Sequence, residues 1–254
     1  MVEILTEEQF EKMKAAGKIL QHVFKACRDE IKPGITTHDV DKLCYDIIRS
    51  YDAIPSFLNY GQPPFPGTIC ASVNDEVVHG IPSERVILKD GDIVTCDVVA
   101  ELDGFCGDAA RTFLVGNVSE EKKLLVARTK ECFFEGLKQA QIGNRIGDIS
   151  HAVQERAESY GYGVVRVLTG HGIGRTMHQE PDVPNFGRAG RGHRIMKGMA
   201  FCIEPMINMG TEKVLLCEDE WTVGSADGSP AAHYENTVII TENGPEMTTF
   251  EEDI

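Results

Sequence analysis

The stretch IVTCDVVA, residues Ile93–Ala100, places a carboxylate inside a mostly apolar run. Turn sequences bound the region at Asp90-Gly91 and Asp103-Gly104, and the β-branched residues between them are typical of a buried strand. An unpaired carboxylate costs several kcal/mol in such surroundings. Asp97 therefore needs a basic partner, a proton or a metal ion.

The segment that follows the second turn, Phe105–Val115, is predicted to be the partner strand of a hairpin. It carries Asp108, which we expect to lie across the hairpin from Asp97. Residues opposite each other on antiparallel strands have Cβ atoms about 4.5–5.5 Å apart. Two carboxylates that close repel each other unless a cation lies between them.

The same arrangement recurs later in the chain. Gly91 precedes Asp97 by six residues, and Gly198 precedes Glu204 by six residues in another apolar stretch. The hairpin that follows carries a further carboxylate, Glu235. This recurrence predicts two similar halves that face each other, with four carboxylates converging between them. Buried ion pairs and solvent-exposed strand ends are the alternatives, but four inward carboxylates favour bound cations.

Histidines in glycine-rich or turn sequences add nitrogen donors to this set. His171 lies between two glycines, and glycine permits close approach of the backbone to a ligand. A lone Gly-His-Gly is weak evidence, but beside four carboxylates His171 is a candidate metal ligand. His79 and His178 have similar neighbours, which suits side chains that reach into a cleft. Carboxylates with one imidazole favour a dinuclear Mn, Fe(II), Co or Zn site over a structural zinc, and such sites catalyse hydrolysis.

Four helices are predicted around the strands. The first is capped by Thr6 with Gln9 and ends before Lys32-Pro33-Gly34, and the second begins at Thr36-Thr37. The others are expected over residues 119–140 and 146–160. Since no linker or low-complexity tract interrupts the chain, we predict that residues 1–254 form a single domain.

Composition narrows the class of protein. The 254 residues include 40 acidic and 25 basic side chains, for a formal net charge of -15, which argues against nucleic-acid binding and anionic membranes. We expect neither a membrane span nor a signal peptide. The eight cysteines are scattered, without a C-x-x-C pair, which favours reduced thiols and a cytoplasmic location.

Together these motifs resemble those of type I methionine aminopeptidases. The resemblance covers nearly the whole chain and rests on the following segments: 73–82, Asp97, 103–108, 170–178, 203–206 and 234–235. It implies an α+β pita-bread (creatinase/aminopeptidase) fold with two pseudo-symmetric halves, in which helices cover antiparallel sheet. Residues 1–254 would then be a single metallopeptidase catalytic domain.

The resemblance also implies a set of metal ligands for two divalent ions, which would be Co, Mn, Fe(II) or Zn. Asp97 would chelate one ion and His171 the other. Asp108 and Glu235 would bridge the two ions, and Glu204 would bind the His171 ion.

Catalytic and substrate-binding roles follow from the same resemblance. Glu204 would take a proton from the nucleophilic water, His178 would polarise the scissile carbonyl, and His79 would hydrogen-bond the leaving amide nitrogen. Both histidines would also contact the substrate. The methionine pocket would be formed by Phe65, Cys70, Met177 and Trp221, with Tyr60 nearby.

The activity implied is removal of the initiator methionine from nascent proteins and peptides when the second residue is small, by metal-activated water attack on the first peptide bond. The implied setting is the cytoplasm, close to the ribosome, as a monomer, without nucleic-acid or membrane binding. Two alternatives stay open: an aminopeptidase P or prolidase-like hydrolase, and a non-catalytic binding module. We expect the lack of a prolidase-like extension before Thr6 to speak against the first, and the full ligand set to speak against the second.

Some positions depart from the family pattern. Cys106 stands where His or Tyr is common and Cys202 where Thr is common, and strand alternation predicts that both thiols face the site. His233 stands where Gln is usual and shares a face with Glu235, so a role near the metals is left open. The pocket rim at Gln62-Pro63 also differs.

Overall fold

Four helices and fifteen strands occur within residues 2–250, the part of the chain that the computed structural model describes. The helices are α1 (Glu7–Glu30), α2 (Thr37–Ser50), α3 (Glu120–Gln139) and α4 (Ile146–Ser159). The strands are β1 (Ile54–Pro55), β2 (Cys70–Val73), β3 (Glu76–Val78), β4 (Ile93–Leu102), β5 (Phe105–Leu114), β6 (Gly163–Val164), β7 (Thr169–Gly172), β8 (Gln179–Pro184), β9 (Ala200–Ile203), β10 (Met206–Asn208), β11 (Val214–Leu216), β12 (Val223–Ser225), β13 (Ala231–His233), β14 (Asn236–Thr241) and β15 (Gly244–Met247). No helix in residues 2–250 combines the length and the hydropathy of a membrane span.

The predicted helix starts are confirmed, and side-chain capping explains them. The Thr6 hydroxyl accepts a hydrogen bond from the Gln9 amide, and the Gln9 side chain accepts one from the Thr6 amide. Thr36 and Asp39 form the same reciprocal pair at the start of α2. Each pair satisfies two backbone donors that a helix start leaves free, so the boundary is local to the sequence.

Strand β4 forms the centre of the first sheet and pairs with β1, β2 and β5. The predicted hairpin is confirmed, but its predicted register is wrong. Asp97 pairs with Ala110, and Asp108 pairs with Val99. The two-residue turn after Leu102 sets this register, and it leaves the two aspartates diagonal to each other on one face of the sheet rather than directly opposite.

The second sheet has the order β15-β14-β9-β7-β8. Ile203 pairs with Asn236 at one end of the β9–β14 ladder, and Met206 pairs with His233 in the β10–β13 ladder. Both ladders follow the same register, so Glu204 and Glu235 take facing positions in the short gap between them.

The two halves meet along β5. The Thr237 hydroxyl accepts a hydrogen bond from the Asp108 amide and donates one to the Asp108 carbonyl, each at 2.9 Å. The Glu235 amide donates to the Ala110 carbonyl at 3.0 Å. Strand β5 therefore runs beside residues 233–237 in an antiparallel sense, which aligns the carboxylates of both hairpins.

Helices α1 and α2 cover the first sheet, while α3 and α4 pack together against strands of the second half. Helix α1 lies unusually close to its neighbours at Gly17, where a Cβ atom would be 2.2 Å from the Thr248 carbonyl oxygen. A Cβ atom on Gly107 of β5 would be 3.0 Å from the Gly17 amide nitrogen. These two glycines allow the helix to rest directly on the strand that carries Asp108.

Candidate metal centre

A cavity of about 570 Å³ opens where the two hairpins meet. Residues predicted as metal ligands and as catalytic histidines all line it: His79, Asp97, Asp108, His171, His178, Glu204 and Glu235. These residues come from segments that are far apart in the sequence, and the seam between β5 and residues 233–237 brings them together.

The four carboxylates are buried, and in residues 2–250 none of them has a lysine or arginine partner. Asp97, Asp108, Glu204 and Glu235 are 8%, 2%, 9% and 1% exposed. Within residues 2–250, no lysine or arginine forms an ion pair with any of them. One oxygen each of Asp97, Asp108 and Glu235 has no hydrogen-bond partner. Buried, unpaired oxygen atoms that converge are a donor set for divalent cations, so these residues fit a metal centre.

Burial and mutual repulsion disfavour the ionised form of these groups. Burial raises the pKa of Asp97 to about 7. The pKa values of Asp108, Glu204 and Glu235 are raised well above the ordinary range by burial and by neighbouring carboxylates. Without metal ions the cluster holds protons, and cations would replace those protons.

This electrostatic arrangement predicts how the metal-free protein responds to pH. A carboxyl group with a raised folded-state pKa contributes stability below its unfolded pKa, and this stability is lost as pH rises through the folded value. Because the pKa of Asp97 is about 7, we expect this carboxyl to lower the Tm of the chelator-treated protein by about 4–8 °C between pH 5 and pH 7, relative to the metal-loaded protein. One such carboxyl contributes about 1.4 kcal/mol per pH unit, and 1 kcal/mol moves Tm by about 2–4 °C.

Differential scanning calorimetry of the same preparation with excess Mn²⁺ provides the control. The loaded protein contains the same thiols and histidines. The difference between the two slopes of Tm against pH therefore reports the contribution of the carboxylates. Equal slopes with and without metal would contradict this account of the cluster.

His171 is oriented as a nitrogen donor. Its Nδ1 lies 3.0 Å from the Gly172 carbonyl oxygen, which requires the proton to be on Nδ1. Its Nε2, 3.7 Å from an Asp108 carboxylate oxygen, then presents a lone pair to the cavity. Burial, with a contribution from His178, lowers the pKa of His171 to about 4, so the ring is neutral. Ligand atoms of Asp108, His171, Cys202 and Glu235 lie within 4.8 Å of one another.

The other two predicted histidines lie at the cavity wall. His178 Nδ1 is 2.9 Å from the Tyr60 hydroxyl, and the His178 ring meets the His171 ring edge-on with centroids 4.4 Å apart. When Tyr60 donates to Nδ1, the Nε2–H of His178 is free to donate into the cavity. Burial lowers the pKa of His178 and takes that of His79 to about 4, so both rings are neutral.

The predicted methionine-pocket residues lie beside this cavity and are absent from the set that lines it. Phe65, Cys70 and Met177 belong to one apolar cluster, against which Trp221 packs. Phe57 belongs both to this cluster and to the cavity wall. The cluster therefore forms an apolar floor next to the carboxylates.

The predicted rim segment contacts Trp221. The indole nitrogen of Trp221 donates a hydrogen bond to the Pro63 carbonyl at 3.1 Å. A Cβ atom on Gly61 would lie 2.5 Å from the same indole ring. The rim and the Trp221 ring thus form one continuous edge of the apolar cluster.

The two predicted site thiols differ in position. Cys202 lies in the ligand group with Asp108, His171 and Glu235. Cys106 belongs to the apolar cluster and to neither group of potential ligands in residues 2–250. Burial raises the pKa of Cys202 well above the usual value and that of Cys106 to about 12. Both thiols are protonated, which disfavours reaction with oxidants.

Two supporting residues were not predicted as site residues. Arg111 is 3% exposed and donates hydrogen bonds to the Glu235 carbonyl and the Asn236 side chain, which holds this segment in place. Asn185 donates to the Glu204 carbonyl at 2.9 Å. Neither residue stands in a distinctive sequence motif, so only the structure identifies them.

The chain is similar to known proteins over nearly its full length. A model of metallopeptidase family M24 matches residues 11–242. A methionine aminopeptidase of Clostridium acetobutylicum is 52% identical over 250 residues, which cover 98% of this chain and 99% of the relative. Methionine aminopeptidase 1 of Bacillus subtilis is 44% identical, over 93% of this chain and 94% of the relative.

Solved structures are similar as well. A crystal structure of methionine aminopeptidase from Rickettsia prowazekii superimposes with a TM-score of 0.96 at 43% identity, over 98% of this chain and 100% of the other. A prolidase from Pyrococcus furiosus has a TM-score of 0.76 at 22% identity, over 98% of this chain and 66% of the other. The likeness to the prolidase is one of fold alone.

Proposed function

Because this chain belongs to metallopeptidase family M24, we infer that it is a methionyl aminopeptidase, a metal-dependent hydrolase that removes N-terminal methionine. Its substrates are nascent proteins and peptides whose second residue is small. The convergence of four buried carboxylates, three of them with an oxygen that lacks a hydrogen-bond partner, with a neutral imidazole carries this conclusion. The similarity to methionine aminopeptidases selects the activity within the family. The pita-bread fold predicted from the sequence is confirmed.

We propose that this centre holds two divalent metal ions, with Co, Mn, Fe(II) or Zn as candidates. Asp97 would bind one ion and His171, with Glu204, the other, while Asp108 and Glu235 would bridge them. Bound in this way, the ions would supply Lewis-acid chemistry and lower the pKa of a water molecule.

Three side chains of the protein would transfer the proton of the attacking water or hydrogen-bond the substrate. Glu204 would accept the proton of the attacking water and pass it to the leaving amine. With Tyr60 donating to Nδ1, the Nε2–H of His178 would donate to the scissile carbonyl oxygen. His79, neutral because of its burial, would hydrogen-bond the leaving amide nitrogen.

The apolar cluster beside the cavity supports a preference for methionine. Phe65 and Trp221 meet edge-on with ring centroids 5.2 Å apart, and Cys70 and Met177 complete a soft, apolar surface. Sulfur-containing side chains pack favourably against aromatic rings. We propose that the substrate's first side chain lies here while its free amine approaches the carboxylates.

Peptide cleavage tests this function directly. We expect the Mn²⁺- or Co²⁺-loaded protein to release methionine from Met-Ala-Ser and to leave Ala-Pro-Ala intact, with activity lost on chelation and restored by metal. Faster cleavage of Ala-Pro-Ala would favour an aminopeptidase P or prolidase-like enzyme instead. Absence of methionine release from every peptide would favour a binding module.

We also propose that residues 1–254 act as one catalytic domain and as a monomer, in the cytoplasm and close to the ribosome. The support is chemical: a nascent chain exposes its N-terminus as it leaves the ribosome, and the eight cysteines are free thiols. We propose no direct contact with nucleic acid, because the net charge is -15.

A further inference from the structure

One imidazole in the centre has no partner that explains its burial. His233 is 2% exposed, and neither of its ring nitrogens has a hydrogen-bond partner in residues 2–250. A buried donor or acceptor without a hydrogen-bond partner costs about 1–3 kcal/mol of folding free energy. We therefore expect the His233 ring to have a partner in the working protein.

The surroundings of the ring point to a cation. His233 Nε2 lies 3.8 Å from a Glu235 carboxylate oxygen and 3.9 Å from one of Glu204. These distances are too long for hydrogen bonds. The Nε2–Glu235 distance suits two atoms that share an ion, because two ligands each about 2.0–2.2 Å from one metal lie roughly 3–4 Å apart. Ligand atoms of Asp97, His233 and Glu235 are all within 4.8 Å of one another.

The backbone holds His233 in this orientation. Its amide donates to the Thr112 hydroxyl at 3.1 Å, and its carbonyl accepts from that hydroxyl at 3.0 Å. Met206 pairs with it on the other side. Because His233 and Glu235 are two residues apart in an extended segment, their side chains share the face that looks into the cavity.

We propose that His233 is a sixth protein ligand, which binds the ion held by Asp97 and Glu235. Each of the two metal positions then has one imidazole, His171 at one and His233 at the other. This proposal rests on the metal centre of the proposed function. An added nitrogen donor favours Co²⁺, Ni²⁺ and Zn²⁺ over Mn²⁺ at the Asp97 position.

Paramagnetic NMR of the full chain loaded with two equivalents of Co²⁺ counts the bound imidazoles. We expect two strongly shifted, exchangeable ring N–H signals in the wild-type protein and one in His233→Gln. The exposed His193, outside the cavity, supplies the matched control: His193→Gln should keep both signals. Circular dichroism checks that the variants fold, and His233→Asn serves as a second variant of shorter reach.

Calorimetric titration with Co²⁺ and Mn²⁺ gives an independent measure. We expect His233→Gln to weaken Co²⁺ binding at one site by at least about tenfold, as loss of supporting groups at metal sites already costs 10–100-fold, and to change Mn²⁺ binding less. A single shifted N–H signal in the wild-type protein, or two signals that persist in His233→Gln, overturns the proposal but leaves His171 as a ligand and the proposed function intact. Failure of the wild-type protein to bind Co²⁺ would instead refute the metal centre itself.

Discussion

Replacement of Asp108 by alanine is expected to lower kcat/KM for Met-Ala-Ser by about a thousandfold or more. Asp108 is 2% exposed, and its carboxylate lies within reach of both His171 and Glu235. Metal ions contribute several kcal/mol of transition-state stabilisation, and each 1.36 kcal/mol is tenfold in rate. A loss of about 4 kcal/mol therefore corresponds to roughly a thousandfold.

Metal content and stability separate this effect from unfolding. The variant should bind less Mn²⁺ or Co²⁺, while its metal-free form should melt no lower than the metal-free wild type, because a buried and repelled carboxyl group has been removed. Asp46→Ala, at an exposed position that pairs with Lys42, is the control and should keep full activity. Chelation-sensitive activity that survives Asp108→Ala would remove Asp108 from the centre.

Features set by local rules could be predicted from the sequence. The helix starts at Thr6 and Thr36 depend on side chains within one turn, and the β4–β5 hairpin depends on its turn and its apolar run. The sequence predicts the convergence of carboxylates because Asp97 and Glu204 each lie in an apolar stretch. Such positions are costly, so the sequence itself signals that something must compensate them.

Features set by register and long-range contact could not be predicted in the same way. The offset between Asp97 and Asp108 depends on which residues form the two-residue turn. A register shifted by two residues would leave both aspartates on the same face of the sheet, so the pattern of apolar residues does not distinguish the two registers. The contacts of Arg111 with Glu235 and Asn236 join segments that the sequence separates widely. His233 could be placed on the same face as Glu235 by alternation, but only the structure shows that its ring lacks a partner.

Replacement of His178 by alanine is expected to lower kcat by about 100–1000-fold, which is the typical cost of removing one donor to a developing oxyanion. With the Tyr60 hydroxyl as donor to His178 Nδ1, the ring presents Nε2–H to the cavity, beside His171 and the carboxylates. The negative charge on the carbonyl oxygen grows only in the transition state, so the loss should fall on kcat rather than on KM.

Two measurements distinguish this role from metal binding or packing. The His178→Ala variant should retain wild-type metal stoichiometry in calorimetric titration, because His178 belongs to neither ligand group in residues 2–250. Tyr60→Phe keeps the aromatic ring and removes the hydroxyl, and it should cost only up to about tenfold in kcat, since a hydrogen bond is worth about 1 kcal/mol. If His178→Ala raised KM and left kcat unchanged, the histidine would bind substrate without stabilising the oxyanion, and the donor role derived from its contact with Tyr60 would be wrong.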